Sequence, residues 1–325
     1  MSDLFALDRV FQTYLRKHLG RRLKFDPQHC RVIVPQEGVQ SNIRLVEFAE
    51  GGGVAVRIFQ RRDRAIAEQL YHADDLLTQH KVPAPALVDY YESNDRHQLI
   101  MLAEERVEGV PAGQVTFDDG KVESLAMTFR RLHRVQSAEW GPPAARREKG
   151  FAAEQMRKAS HRLSAVKRRG GALVKKQEWK KAAEFMKAWK ALLESVKVFR
   201  LIHDKINAGN LIYNPAKNEF ALIDLVTLQF GHPHKDLIPL YHEVLEENPE
   251  HVERFRTLYW ADYSESERQQ ALTIEPFFHA YYHLAECAIN LKRLSKWTAK
   301  RGLADSAYIE KFARHWSQLL QIVEN

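Results

Sequence analysis

Cysteine is scarce: the 325-residue chain holds only Cys30 and Cys287. So far apart, they form neither the paired spacing of a metal site nor a disulfide framework, and they read as small hydrophobes in a reducing compartment. Long apolar runs are missing too, since no stretch approaches the roughly 18 residues needed to cross a bilayer. The opening residues MSDLFALDRVF carry acidic side chains and no signal-peptide core. The expected location is therefore the cytoplasm. There is no internal repeat and no low-complexity tract. What remains is an ordinary globular composition, 45% hydrophobic, with enough length for two domains of about 100 to 200 residues each.

Charge is unevenly spread. The net charge is +7, yet between Arg146 and Arg200 there are 17 Lys or Arg against 5 Glu, a local +12 that leaves −5 for the rest of the chain. A solvated basic face, an anionic substrate and peripheral contact with an anionic membrane surface all fit this segment, 146–200. No nucleic-acid-binding motif accompanies the charge, so no nucleic-acid partner is expected.

The periodicity divides the chain in two. Residues 4–19 carry apolar side chains at helical spacing, and 30–34 read as a short strand. Alternating stretches around the Gly51, Gly52 and Gly53 turn predict a β-hairpin. A helix follows over 64–79, then strands over 86–91 and 98–103. An amphipathic helix is expected over 122–135. His133 on it reads as a core residue. Helices with one apolar stripe each cover the basic segment, and 237–325 reads as helical. His232 and His234 form a two-histidine string with no third ligand spaced for a metal.

The most informative stretch is 198–227, VFRLIHDKINAGNLIYNPAKNEFALIDLVT. Two short strands flank an Asn-Pro turn, and a polar loop rich in His, Asp and Asn precedes them. Phosphoryl transfer requires hard oxygen ligands for magnesium, held rigidly near a nucleoside triphosphate. Asn210 and Asp224 are residues of that type.

These residues resemble the catalytic core of the aminoglycoside phosphotransferase and choline kinase family. Its loop runs His-x-Asp-x-x-x-x-Asn and is followed by a strand ending Ile-Asp. His203, Gly209 with Asn210, Ile223 with Asp224, and Asp236 with Leu237 fall on that pattern. One position departs: Lys205 stands where the family has its catalytic base, and an acidic residue, Asp204, lies one place earlier. A lysine there accepts a proton at neutral pH only if burial lowers its pKa strongly.

The resemblance extends over about 34–237. It implies that the turn 38–42, with Ser41 and Asn42, covers the nucleotide phosphates. Arg57 takes the place of the lysine in the family's Val-Ala-Ile-Lys strand, with Glu68 as its expected partner. Backbone at Ala103 to Glu105 would hold the adenine. Asp236 would support the catalytic loop through backbone hydrogen bonds. The C-terminal helices would wall the acceptor pocket, with Tyr281, His283 and Glu286 as candidate contacts.

The implied fold is α+β and two-lobed, protein-kinase-like, with a small antiparallel β lobe and a larger, mostly helical lobe. The expected boundaries are 1–103 for the nucleotide-binding lobe, 104–113 for the hinge and 114–325 for the helical lobe. The implied activity is ATP- and Mg2+-dependent phosphorylation of a hydroxyl on a small molecule, sugar or lipid-linked sugar, with an acceptor that the basic segment suggests is anionic. Asn210 and Asp224 would hold the metal, and His203, Asp204 and Lys205 would make up the catalytic loop. The alternative is a pseudokinase that keeps the pocket as a nucleotide-binding or scaffold protein.

Overall fold

The alternation of apolar residues around the triple-glycine turn becomes a five-stranded antiparallel sheet in the computed structural model, which describes residues 2–34, 42–94, 98–301 and 305–324. Its strands are β1 (Arg31–Ile33), β2 (Asn42–Glu47), β3 (Gly53–Phe59), β4 (Leu87–Glu92) and β5 (Ile100–Glu105), in the order β1-β2-β3-β5-β4. Side chains alternate across a strand, so Val54, Val56 and Ile58 of β3 fall on one face with Val46, Met101 and Ala103. That face is covered from the N-terminal helical segment by Phe11, Tyr14, Leu15 and Leu19, each at most 1% exposed.

The segment expected as one helix over 4–19 is α1 (Ser2–Tyr14), a wider π-turn over Leu15–Leu19, and α2 (Gly20–Leu23). The widening leaves Leu15 and Leu19 both buried. On the other side of β3 in sequence, α3 (Arg64–Gln79) spans the residues its periodicity predicts.

The chain resolves into two compact units. The first comprises Met1–Val135, Pro142–Ala144 and Ala208–Leu228, and the second Gln136–Gly141, Ala145–Asn207 and Gln229–Asn325. Besides the sheet, the first unit contains β6 (Val110–Pro111), α4 (Asp119–Arg134), β9 (Leu211–Asn214) and β10 (Glu219–Leu222). β9 and β10 form a hairpin, with Tyr213 opposite Phe220, and β6 joins it on the β9 side. α4 lies on this small sheet: Thr128 Oγ1 donates to the Phe220 carbonyl at 2.8 Å. His133 is fully buried there, edge-on to Phe129.

The second unit is built on helices. In the basic segment run α5 (Phe151–Gly170), α6 (Lys176–Ala188) and α7 (Lys190–Glu194), followed further on by α8 (His234–Glu243), α9 (Pro249–Trp260), α10 (Glu265–Arg301) and α11 (Ser306–Glu324). Their buried stripes interlock through aromatic side chains, with Trp189 against Phe277 and the Trp316 indole donating to Glu178 at 3.0 Å. Three short strands, β7 (Gln136–Ser137), β8 (Phe199–Ile202) and β11 (Gln229–Gly231), add a small sheet with β8 in the middle. No described helix is long and apolar enough to cross a membrane.

Candidate active site

In the first unit the Asn-Pro turn is an Asx turn, because the Asn214 carboxamide oxygen accepts the amides of Ala216 and Lys217 at 3.0 and 3.2 Å. It closes the β9–β10 hairpin. At the open end the Ile223 amide donates to the Asn210 carbonyl at 3.0 Å. This bond couples the backbones just ahead of Asp224 and at Asn210, the two residues with hard oxygen donors.

Asp224 adopts the left-handed region, φ 59° and ψ 51°. That conformation costs roughly 1–2 kcal/mol in most residues, and aspartate is among those that visit it. From there the carboxylate accepts Arg57 Nη1 at 3.0 Å, while Arg57 Nε donates to Glu104 at 2.9 Å. Arg57 and Glu104 are 6% and 5% exposed. Burial works against the charge on Arg57, yet the Glu104 and Asp224 carboxylates raise its pKa above the ordinary guanidinium value. Breaking a buried pair of this kind costs about 3–5 kcal/mol, because one charge is left without compensation.

Arg57 is therefore a bridge between two carboxylates, and this corrects the expected partnership with Glu68. Glu68 instead accepts from Arg64 at 2.8 Å, one helical turn earlier on the same exposed face of α3. Arg57 sits in mid-sheet opposite Leu102 of β5, where Glu104 is two residues along and on the same face.

At the expected adenine site, Ala103 is inside the ladder, opposite Val56 and Asp89. The Glu105 amide donates to the Ala86 carbonyl at 2.9 Å and the Arg106 amide to Gly53 at 3.0 Å. The chain leaves the sheet only after Arg106. Ser41 and the 38–42 turn lie outside the described residues, as does the side chain of Asn42, whose backbone opens β2.

The residues expected to make up the catalytic loop, His203, Asp204 and Lys205, belong to the second unit. All four residues of β8 are buried, and they deliver a buried His203. Asp236, in the first turn of α8, accepts the backbone amides of His203 at 2.7 Å and Asp204 at 2.8 Å, one on each carboxylate oxygen. A carboxylate is favoured at that end of a helix by the exposed amides and the dipole. The loop is thus held from behind by Asp236.

Asp204 is also left-handed, φ 61°. Its Oδ1 pairs with the Lys235 ammonium and its Oδ2 accepts from the Gln229 amide. Both partners follow from the local fold: Gln229 lies opposite Ile202 in the β8–β11 ladder, and Lys235 precedes Asp236. Lys205, next along the loop, is exposed.

Asp204 and Lys205 line a cavity of about 430 Å³. Its walls include Lys158 and Arg162 of α5, Lys235 of α8, and Tyr281, Tyr282, Glu286 and Arg293 of α10. The Arg162 guanidinium lies 4.0 Å from the Tyr281 ring centroid, a cation–π contact. Burial and the neighbouring Lys235 lower the Lys158 pKa. The acidic wall carries Glu243, raised to about 7 by burial and by Glu286. Of the candidate acceptor contacts, Tyr281 and Glu286 reach this cavity. His283 does not line it and packs against His315 instead. His232 stacks on Phe278, and His234 packs tilted against both rings.

Glu104, near Asp224 in the first unit, and Gln229, Lys235, Lys158 and Arg162, near Asp204 in the second, come in without a motif of their own. The one hint among them was the charge of Lys158 and Arg162 within the basic segment.

A family model described as the phosphotransferase enzyme family matches residues 33–273. No curated protein shows significant similarity to the chain. Among solved structures, amicoumacin kinase hAmiN in complex with AMP-PNP, Ca2+ and Ami is similar at a TM-score of 0.63 and 14% identity, covering 95% of each chain. A Plasmodium vivax ethanolamine kinase gives 0.59 and 13%, covering 98% of this chain and 88% of its own. A putative fructosamine-3-kinase from Thermobifida fusca gives 0.57 and 17%, covering 94% and 99%. At such identities these likenesses establish the fold, a kinase-like α+β architecture with an antiparallel sheet and a mostly helical remainder. With the family model spanning most of the chain, the chain belongs to the phosphotransferase enzyme family.

Proposed function

We propose that this protein transfers the terminal phosphoryl group of ATP to a hydroxyl of a small, polar acceptor bound beside Asp204. The observation that carries the reading is the Asp204 carboxylate, supported through its backbone by Asp236 and opening onto a cavity of about 430 Å³. The acceptor hydroxyl gives its proton to Asp204 as its oxygen bonds to the γ-phosphorus. The bond to the β-phosphate oxygen breaks, and ADP leaves with that electron pair. A carboxylate offers about four lone-pair sites, so the contacts to Lys235 and Gln229 leave room for the hydroxyl.

The donor set of Asn210 and Asp224, an amide oxygen and a carboxylate, suits magnesium. When bound, the ion supplies charge neutralisation on the phosphates. Arg57 then orients Asp224 and adds positive charge close to it. Lys158, Arg162, Lys235 and Arg293 favour an acceptor bearing an anionic group, and Tyr281 and Tyr282 offer faces for a ring. The named substrates of the solved relatives, amicoumacin, ethanolamine and fructosamine, support a small-molecule acceptor.

Titrating ATP with and without magnesium by calorimetry tests the donor half. Magnesium-dependent binding that is lost in Asp224→Asn supports it, and binding indifferent to magnesium defeats it. The acceptor half is tested by ADP release against a panel of hydroxylated phosphates, acids and sugars.

Two observations favour a second reading, a nucleotide-binding protein without turnover. Lys205 occupies the usual position of the base, and Asp204 is already engaged in an ion pair with Lys235. In that case ATP binds with magnesium, but no acceptor stimulates ADP release above the rate of Asp204→Asn.

A further inference from the structure

Away from the Asp204 cavity, three histidines converge in the helical unit. His242 stands in the last turn of α8, and His279 and His283 lie one turn apart on α10. A ring nitrogen from each comes within 4.8 Å of those of the other two. The His242 Nε2 and His279 Nδ1 atoms are 3.4 Å apart.

The outer nitrogens of this pair face carboxylates. His242 Nδ1 lies 2.8 Å from Glu247 and His279 Nε2 lies 3.4 Å from Glu275. Glu275 is itself held by Arg256 through both oxygens. A neutral imidazole has a single ring proton. Each histidine that donates it outward, to Glu247 or Glu275, presents a bare lone pair inward. Two lone pairs then confront one another at 3.4 Å. A cation between them turns that repulsion into ligation.

We infer that His242, His279 and His283 form a binding site for a divalent transition-metal ion of the zinc class. Nitrogens about 2.0–2.1 Å from a tetrahedral zinc ion sit roughly 3.3–3.4 Å from one another, the separation of the His242 and His279 pair. Carboxylates behind metal-bound imidazoles fix the tautomer and ring orientation and make the ligand more basic. Glu247 and Glu275 stand in that relation to His242 and His279. Three imidazoles leave the fourth position of a tetrahedron for water. An all-imidazole set selects zinc, cobalt, nickel or copper over magnesium or calcium, so this site is chemically separate from Asn210 and Asp224. Bound metal would tie the end of α8 to α10. Glu243 and Tyr282, each next in sequence to a ligand, line the Asp204 cavity, so occupancy would also stiffen one of its walls.

The test uses the tag-free full chain, stripped with chelator and titrated with zinc chloride by calorimetry, with cobalt substitution read by visible absorption. One zinc per chain and the absorption of tetrahedral cobalt are expected. His242→Gln and His279→Gln should each weaken binding by well over 10-fold. Glu247→Gln, which leaves the ligands in place, should weaken it by about 10- to 100-fold. Asp224→Asn should bind zinc like the parent chain. Absence of zinc binding by the parent chain overturns the site, as does unchanged binding in the folded His242→Gln/His279→Gln double variant.

Discussion

Asp204 and Asp224 are both left-handed, at φ 61° and 59°, and both engage a cation. Aspartate tolerates this backbone, and its short side chain is thereby aimed at a fixed partner. Asp204→Asn keeps the size of the side chain and removes the base. It is expected to lower turnover by about 100-fold or more, the usual reach of general-base catalysis, and to lower the denaturation midpoint as well, because the buried Lys235 ammonium loses its counter-charge. Turnover equal to the parent's would remove Asp204 from the reaction. Arg57→Ala leaves Glu104 buried without its cation and should cost about 3–5 kcal/mol of stability, read by urea denaturation. Arg57→Lys keeps the charge, but a single ammonium lacks the guanidinium fork that reaches Glu104 and Asp224 together. It should recover only part of the loss.

At the scale of elements, the first turn of α8 and the start of the β9 strand do most of the positioning. Asp236 accepts two loop amides, so Asp236→Ala strands one buried and one half-buried N–H group, at about 1–3 kcal/mol for the buried one. The expected result is a clear loss of stability, read by urea denaturation, together with loss of turnover. Where β6 approaches β9, Gly109 has φ 138°, and a Cβ there would lie 2.2 Å from the Tyr213 carbonyl oxygen. Gly109→Ala should therefore destabilise the hairpin that carries Asn210 and Asp224. Circular dichroism melts would show it, and a melt identical to the parent's would count against the close approach. The basic segment divides between roles at this scale. Lys158 and Arg162 of α5 enter the cavity, whereas Lys167, Arg168 and Arg169 at its end are exposed.

For the whole molecule, ligand linkage offers the broadest check. A ligand that binds only the folded state at 100 times its Kd adds about 2.7 kcal/mol of stability. ATP with magnesium should raise the melting temperature of the parent chain, and Asp224→Asn should lose the part of that increment that depends on magnesium. The order of sheet, α3 and helices was legible in the sequence because burial patterns with periods of two and 3.6 residues are local properties. The spacing of Gly209-Asn210, Ile223-Asp224 and Asp236-Leu237 was legible for a related reason, since a short loop and a tight hairpin leave little freedom between such residues. The partners of Arg57, the clamp on Asp204 and the three-histidine cluster were not legible. Arg57 meets Glu104 across strand register, Asp204 meets Gln229 across a ladder of three-residue and four-residue strands, and His242 meets His279 across two packed helices. Such meetings depend on register and on how helices pack, which no local pattern encodes. The sequence by itself determined which chemical groups are present and in what order, and only the tertiary structure decided which of them touch, because contact between distant residues is settled when the whole core packs.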